Sequence, residues 1–324
     1  MSDLTLATTS RPADTSGATG DRVFSGLATT AGVSVLLLLG AIIIMLLIGG
    51  IPAFRHFGFG FLTSTDWDPV NDIYGAVVPI FGTVMTSVLA LVLAVPLAFG
   101  VAFYLTEQAP VWLRRPVGTA VELLAAVPSI IYGMWGFFVI VPIMSQFIEP
   151  PMIALFHNVP WLHALFKGPA FGTGIATAAL VLAVMIIPFI AATMRDVFLT
   201  VPAVFKESAY GLGCTTWEVM RSVVIPYTKT SVVGGIMLGL GRALGETMAV
   251  TFVIGNTDRI STSLFGPGNT ISSIVALEFP ESQPGSLKLS SLLALGFILF
   301  VISFIVLAIS RLLLRPRTLK AAGH

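Results

Sequence analysis

Six apolar runs, each long enough to cross a bilayer as a helix, constrain this chain more than any other feature of its sequence. They extend from Leu27 to Gly49, Ala76 to Tyr104, Gly118 to Ser145, Gly172 to Met194, Ser231 to Asn256 and Leu289 to Leu314. Crossing about 30 Å of hydrocarbon takes roughly 20 helical residues, and every run meets that length. Inside lipid the backbone has no water to bond, so a spanning helix must satisfy its own amides. The expectation is an all-α, polytopic membrane protein with six transmembrane helices. Composition agrees: 56% of the 324 residues are hydrophobic and only 10% charged, against about a quarter charged in an ordinary soluble domain.

Residues 1–26 are rich in Ser, Thr, Ala and Gly without apolar periodicity, which predicts a disordered cytoplasmic tail. Residues 27–314 are expected to form the transmembrane domain, with a cytoplasmic loop at 195–230, and residues 315–324 a basic cytoplasmic tail. The first run starts too late and is too long for a signal peptide, so it is read as a retained membrane helix. Arg114, Arg115, Arg195, Lys206, Arg221 and Lys229 fall, with the basic residues of both ends, on one side of the spans. The other side holds Arg55, Lys167, Arg259 and Lys288, so the excess of Lys and Arg places both termini in the cytoplasm.

Other function classes find little support. A net charge of +1 with scattered basic residues gives no footprint for a nucleic-acid partner. Cys214 is the single cysteine, so there is no disulfide framework and no thiolate metal site. His157 and His163 lie near each other without a third ligand and are read as solvated loop histidines. Asp66, Asp68 and Asp72, beside Trp67 and Phe61, are expected on an exposed surface at the membrane interface. The third run contains Pro128, which breaks the backbone ladder and frees carbonyls that lipid cannot satisfy. Two readings follow: a packed kink, or a break near Ser129 and Tyr132 that lines a path.

The loop between the fourth and fifth runs is too polar to cross a membrane. Lys206 to Tyr210 is expected to be a short helix stopped by Gly211 and Gly213. A second, Thr216 to Val224, is expected to start on Thr215 or Thr216 and stop at Pro226. Within it, Glu207-Ser208-Ala209, then Gly213 six residues after the glutamate, then Val223-Val224-Ile225-Pro226 resembles the EAA loop of type I ABC importer permeases. Ser208, Val223 and Ile225 depart from that pattern while preserving size or apolarity. The resemblance implies the MetI-like permease fold. It also implies that Glu207, Ser208, Ala209 and Gly213 belong to a coupling loop that docks on a separate ATP-binding subunit. Ala209, Tyr210, Leu212 and Trp217 would be the apolar face and Glu207 the charged anchor.

The fifth run contains GRALGETMAV, residues 241–250. Counted from Ser231, Arg242 lies eleven residues, or roughly 16 Å, into the span. Charges at that depth face a bundle interior or a watered path. Gly235 and Gly239, and Gly241 and Gly245, would let another helix approach, while Arg242 and Glu246 share an adjacent face at i and i+4. The spacing allows either a structural ion pair or an anion relay, in which the guanidinium fork meets an oxyanion and Glu246 offsets the charge when the path is empty. GRALGETMAV after an EAA loop, with GTVMTSVLALVLAVPLAFGVAFYL and PSIIYGMWGFFVIVP upstream, is similar to the phosphate permeases of the Pst uptake systems, and more to the PstC type than to its PstA sibling.

That resemblance implies an ATP-driven phosphate importer of the bacterial inner membrane, with Arg242 and Glu246 on the phosphate path. Its implied partners are a PstA-type permease, a PstB-type ATPase dimer and an external PstS-type phosphate-binding protein, all beside membrane lipid. No Walker A pattern occurs in the sequence, so ATP and Mg are expected on the partner ATPase and no cofactor on this non-catalytic chain. The rival readings are an importer of another oxyanion, such as sulfate or molybdate, and an ion-coupled secondary transporter. A membrane enzyme acting on lipid phosphates would need a base or nucleophile beside the arginine, and the spans contain no such pair.

Overall fold

The computed structural model describes residues 18–313. In chain order the elements are α1 (Ala18–Phe57), α2 (Gly60–Thr63), a hairpin of β1 (Trp67–Asp68) and β2 (Ile73–Tyr74), and α3 (Val77–Phe103), which closes in a π-helical turn, Tyr104–Gln108. Next come α4 (Val111–Ala125) and α5 (Ser129–Trp135), which runs through a π-turn (Gly136–Ile140), α6 (Val141–Ile143) and another π-turn (Met144–Ile148) into α7 (Glu149–Phe156). After α8 (Pro160–Leu165), α9 (Ile175–Leu199) and α10 (Ala203–Gly211), α11 (Thr216–Val219) passes by a π-turn (Met220–Val224) into α12 (Ile225–Leu244). The last described elements are α13 (Met248–Thr251), α14 (Ile271–Glu278) and α15 (Leu287–Leu313). Among the described residues, six helical stretches are long and apolar enough to cross a membrane.

The chain divides into two units, Met1–Ile48 and Gly49–His324. In the first, α1 is already helical at Ala18, so the tail expected to reach residue 26 is helical from 18 onward. Asp21 in the opening turn suits the positive end of the helix. The rest of that expected tail, like the basic tail at 315–324, lies outside the described residues.

In the second unit α9 is the central element. The most apolar part of α9 is 67% buried, against 28% or less for the other spans. The α3–α9 contact is the most extensive in the fold. It rests on Ala90, Ala94, Ala98 and Ala102 of α3, spaced four residues apart and all fully buried. Small residues at this period let backbones approach closely, which is how helices associate where no hydrophobic drive exists. Against them pack Ala178, Leu182, Met185, Ile186 and Ile190 of α9. Cys214 is half-buried against the same core, an apolar filler.

A second core forms where the 49–76 and 269–302 segments meet. Phe61 and Trp67 are buried in it, at 0% and 6% exposure, which corrects the expectation of an exposed interfacial surface. Aromatic packing is the cause: Phe61 meets Phe54 edge-on at 5.7 Å, Trp67 meets Tyr74 at 5.0 Å, and the indole N–H donates to Glu278 at 2.9 Å. The segment at 257–288 is tied into this core by its own helix. Thr270 opens α14 with a capping box to Ser273, and Ile271 N–H donates to Thr83 of α3 at 3.0 Å. Gly82 makes this approach possible, because a Cβ there would stand 1.9 Å from the Asn269 carbonyl oxygen.

Candidate functional site

The fifth span does not run unbroken to Asn256. α12 ends at Leu244, Gly245 leaves the helix at φ −91° and ψ 1°, and only the one-turn α13 follows. Glycine is a poor helix former, and the chain exits there. Arg242 therefore sits in the last helical turn and Glu246 beyond the helix end, so the expected i, i+4 face is not formed. Both are half-buried. Among the described residues the ion pairs are Arg195 with Glu122 and Asp196, Lys206 with Glu107, and Lys288 with Glu278. Arg242 and Glu246 belong to none of them. The guanidinium instead stands over the Phe189 ring, 5.8 Å from its centroid, beside the carbonyl end of α12 that favours a cation.

The third span is interrupted at Pro128. α4 stops at Ala125, and Ser129 is the first residue of α5, half-buried. The 9%-exposed Tyr132 donates its hydroxyl to the Leu124 carbonyl at 2.9 Å, satisfying an acceptor that the break frees. The hydroxyl thereby ties the start of α5 to the end of α4 across the break. Among the described residues no side-chain hydrogen bond or ion pair joins any two of Ser129, Tyr132, Arg242 and Glu246. Gly133 lets α5 lie on α13, since a Cβ there would stand 3.0 Å from both the Ala249 Cα and the Met248 carbonyl oxygen.

The loop residues form a capped helical knob. α10 runs through Gly211 and ends on Leu212; Gly213 N–H donates to the Tyr210 carbonyl at 2.9 Å and Cys214 N–H to that of Ala209 at 3.2 Å. This is a Schellman closure, and Gly213 at φ +86° adopts the left-handed conformation it needs. So Gly213, and not Gly211, is the stop. Thr215 caps α11 in a box with Glu218. Pro226 does not stop the second helix: it follows the π-turn and α12 continues past it. Glu207 is exposed, Ser208 donates to the Val204 carbonyl at 2.7 Å, and Ala209 packs on the core. Tyr210 and Leu212 are exposed at 41% and 86%, while Trp217 is half open and rests edge-on against Phe99 and Phe103.

The family described as binding-protein-dependent transport system inner membrane component matches residues 94–318. The chain belongs to this permease family. Among its relatives, a phosphate transport system permease protein PstC of Mesorhizobium japonicum is 57% identical, covering 91% of this chain and 90% of its own. The protein of the same name in Pasteurella multocida is 61% identical over 86% of this chain and 87% of its own. PstC 2 of Mycobacterium tuberculosis is 42% identical over 90% and 91%. Solved structures share the fold. The chain of a bacterial alginate ABC transporter crystallised with its alginate-bound periplasmic protein matches with a TM-score of 0.59 at 14% identity, over 93% of this chain and 98% of its own. An inward-facing MetNI methionine ABC transporter gives 0.51 at 17% identity, over 76% and 99%. The all-α, six-span, MetI-like architecture expected of this permease is thus the one it has.

Sequence reasoning missed the tether between the permease's knob and its second span. Lys206, the residue before Glu207, bonds Glu107 at 2.6 Å, with side chains 16% and 7% exposed. Nothing in a single sequence relates residues 99 positions apart. At the opposite end of the fold, a cleft of about 650 Å³ is lined by Asp66, Trp67, Asp68, Asp258 and Arg259. Burial holds the Asp258 carboxyl above the usual carboxylate range against the opposing pull of its bond from Asn269, and burial with the nearby Asp72 pushes Tyr74 up to about 12. Asp68, bonded by Asn71 and the Val70 amide, is held low. His157 and His163 meet edge-on at 5.2 Å.

Proposed function

We propose that this chain is the permease subunit of an ATP-driven importer of inorganic phosphate, forming half of the transmembrane pathway. The observation behind this reading is Arg242. It is a half-buried guanidinium at a break in a spanning helix, without a carboxylate partner among the described residues. It occurs in a chain 57% and 61% identical to phosphate transport system permeases. A cation whose fork is not committed to a carboxylate can bond two oxygens of a passing anion. The apolar packing of the site strengthens that attraction relative to water. Glu246, freed from the helix by Gly245, is the group that limits how long the anion stays; it also accepts a hydrogen bond from a protonated oxyanion, which phosphate has at neutral pH and sulfate lacks.

In this reading the chain is a multi-pass protein of the bacterial plasma membrane with both termini in the cytoplasm. It pairs with a PstA-type permease, two PstB-type subunits that bind ATP and Mg, and an external PstS-type phosphate-binding protein. Glu207, Ser208, Ala209 and Gly213 form the ATPase-facing knob. Exposed Tyr210 and Leu212 supply its apolar contact and Glu207 its anchor. Closure of the ATPases moves α10, the path opens outward, and phosphate released by the binding protein passes Arg242. The test is uptake by the reconstituted complex, with phosphate measured against sulfate and molybdate. Phosphate alone should be accumulated, and only with ATP; strong sulfate transport, or accumulation by this chain without an ATPase, refutes the reading.

A further inference from the structure

The end of the fold that carries α10 also contains a cleft of about 350 Å³ between α4, the π-turn after α3 and the end of α9. Thr106, Arg114, Arg115, Thr119, Glu122 and Arg195 line it, three guanidinium groups against one carboxylate. Two of the arginines are held in place. Arg195, 17% exposed, is clamped by Glu122 and, at 2.8 Å, by Asp196. It reaches α4 because Gly118 has no side chain: a Cβ there would stand 2.4 Å from its Nη1. Arg114 donates from Nε to the Ala109 carbonyl at 2.8 Å, which fixes the stem and leaves both terminal amino groups for another acceptor. Arg115 makes no ion pair among the described residues, and Thr119 stands one helical turn beyond it on the same face.

α4 is not a spanning helix. Val111, Trp112 and Leu123 are exposed at 81%, 75% and 66%, next to the arginine-bearing face by helical spacing. A helix with arginines on one side and Trp and Leu beside them lies in the headgroup layer of a membrane. Basic pockets at the cytoplasmic ends of spanning helices are suited to lipid phosphates.

We propose that this cleft binds the phosphate of an anionic phospholipid headgroup. The donors are the terminal amino groups of Arg114 and Arg115 and the Thr119 hydroxyl, while Arg195, committed to Glu122 and Asp196, contributes to the wall of the cleft. Free phosphate offers the same oxygens, and two features favour the lipid. Glu122 and Asp196 already offset much of Arg195, so the remaining charge suits a singly charged diester better than a dianion. Trp112 and Leu123 give the glycerol and upper acyl chains an apolar surface beside the cleft, which a free anion would leave bare.

The test uses the full-length chain purified with its partner subunits, and native mass spectrometry to count retained phosphatidylglycerol against phosphatidylcholine. Phosphatidylglycerol should be retained in preference. The Arg114→Gln/Arg115→Gln variant, whose altered side chains are both exposed, should bind it about 25-fold more weakly, roughly fivefold for each arginine. Thr119→Val should lower retention by a smaller factor, and millimolar inorganic phosphate should leave it unchanged. Equal retention of the two lipids, undiminished phosphatidylglycerol binding by the double variant, or displacement of the lipid by inorganic phosphate overturns the proposal.

Discussion

Glu107→Gln removes one half of the pair that joins the knob to the second span. The 2.6 Å contact is among the most enclosed ion pairs of the described residues, with Glu107 7% and Lys206 16% exposed. Deleting one partner of a fully buried pair costs about 3–5 kcal/mol, because the other charge is left without compensation, whereas an exposed pair is worth about 0–1. Lys206 keeps some access to water and has the Phe198 carbonyl 3.5 Å away as an alternative acceptor. The expected loss is therefore about 2–3 kcal/mol, between the exposed and the fully buried ranges. A double-mutant cycle of Glu107→Gln, Lys206→Met and their combination, read by reversible denaturant unfolding in detergent, isolates the pairwise interaction. The reconstituted variants should also hydrolyse ATP while importing less phosphate per ATP, since α10 is then no longer fastened to α3. An interaction energy below about 0.5 kcal/mol refutes the tether, and so does an unchanged ratio of phosphate imported to ATP hydrolysed.

Arg242→Lys keeps the charge but loses the fork, and should lower phosphate uptake roughly tenfold, the cost of one hydrogen bond to a charged group; near-normal uptake in proteoliposomes would mean that charge alone suffices. Glu207→Ala alters an exposed side chain, so the protein should fold and insert normally yet lose ATP-driven uptake, and full uptake would contradict the anchoring role. Gly82→Ala forces a methyl group against the Asn269 carbonyl oxygen, 1.9 Å from its ideal position, and should destabilise the fold by about 1–3 kcal/mol, measured as a lower thermal midpoint. Burial raises Asp258 in the folded protein, so the folded chain binds that proton more tightly than the unfolded one, and the group's contribution to stability falls as pH rises above the ordinary carboxylate value. Asp258→Asn should therefore melt higher at neutral pH and lose that part of the pH dependence; an unchanged melting profile from acid to neutral pH counts against it.

The spans were legible because length and apolarity are properties of single runs. Their breaks were only partly so. Pro128 separates α4 from α5 as its chemistry requires, yet the third span then extends to Phe156 through two π-turns that no local pattern announces. Pro226 reads as a stop because its ring opposes the carbonyl four residues back. The π-turn of Met220–Val224 ends two residues before it, and α12 continues past that position. In GRALGETMAV the residue types were informative and the geometry was not: i, i+4 reasoning assumes a helix, and Gly245 ends it between the two charges. The knob was read with its cap and its glycine because those are local contacts. Its tether to Glu107, the Phe189 ring over Arg242 and the burial of Phe61 and Trp67 all depend on distant parts of the chain meeting.

The alanine seam between α3 and α9 bears on how force travels through the molecule. With methyl groups at Ala90, Ala94, Ala98 and Ala102, the two backbones lie close enough to act as one beam rather than two flexing rods. At 1.5 Å per residue, the 25 residues of α9 give that beam a length of roughly 37 Å. Lys206 is fastened to one end of it through Glu107 and Phe198. If α10 receives the push of an ATPase, as proposed, a small displacement there reaches the far side as a tilt, with its reach set by the length of the lever.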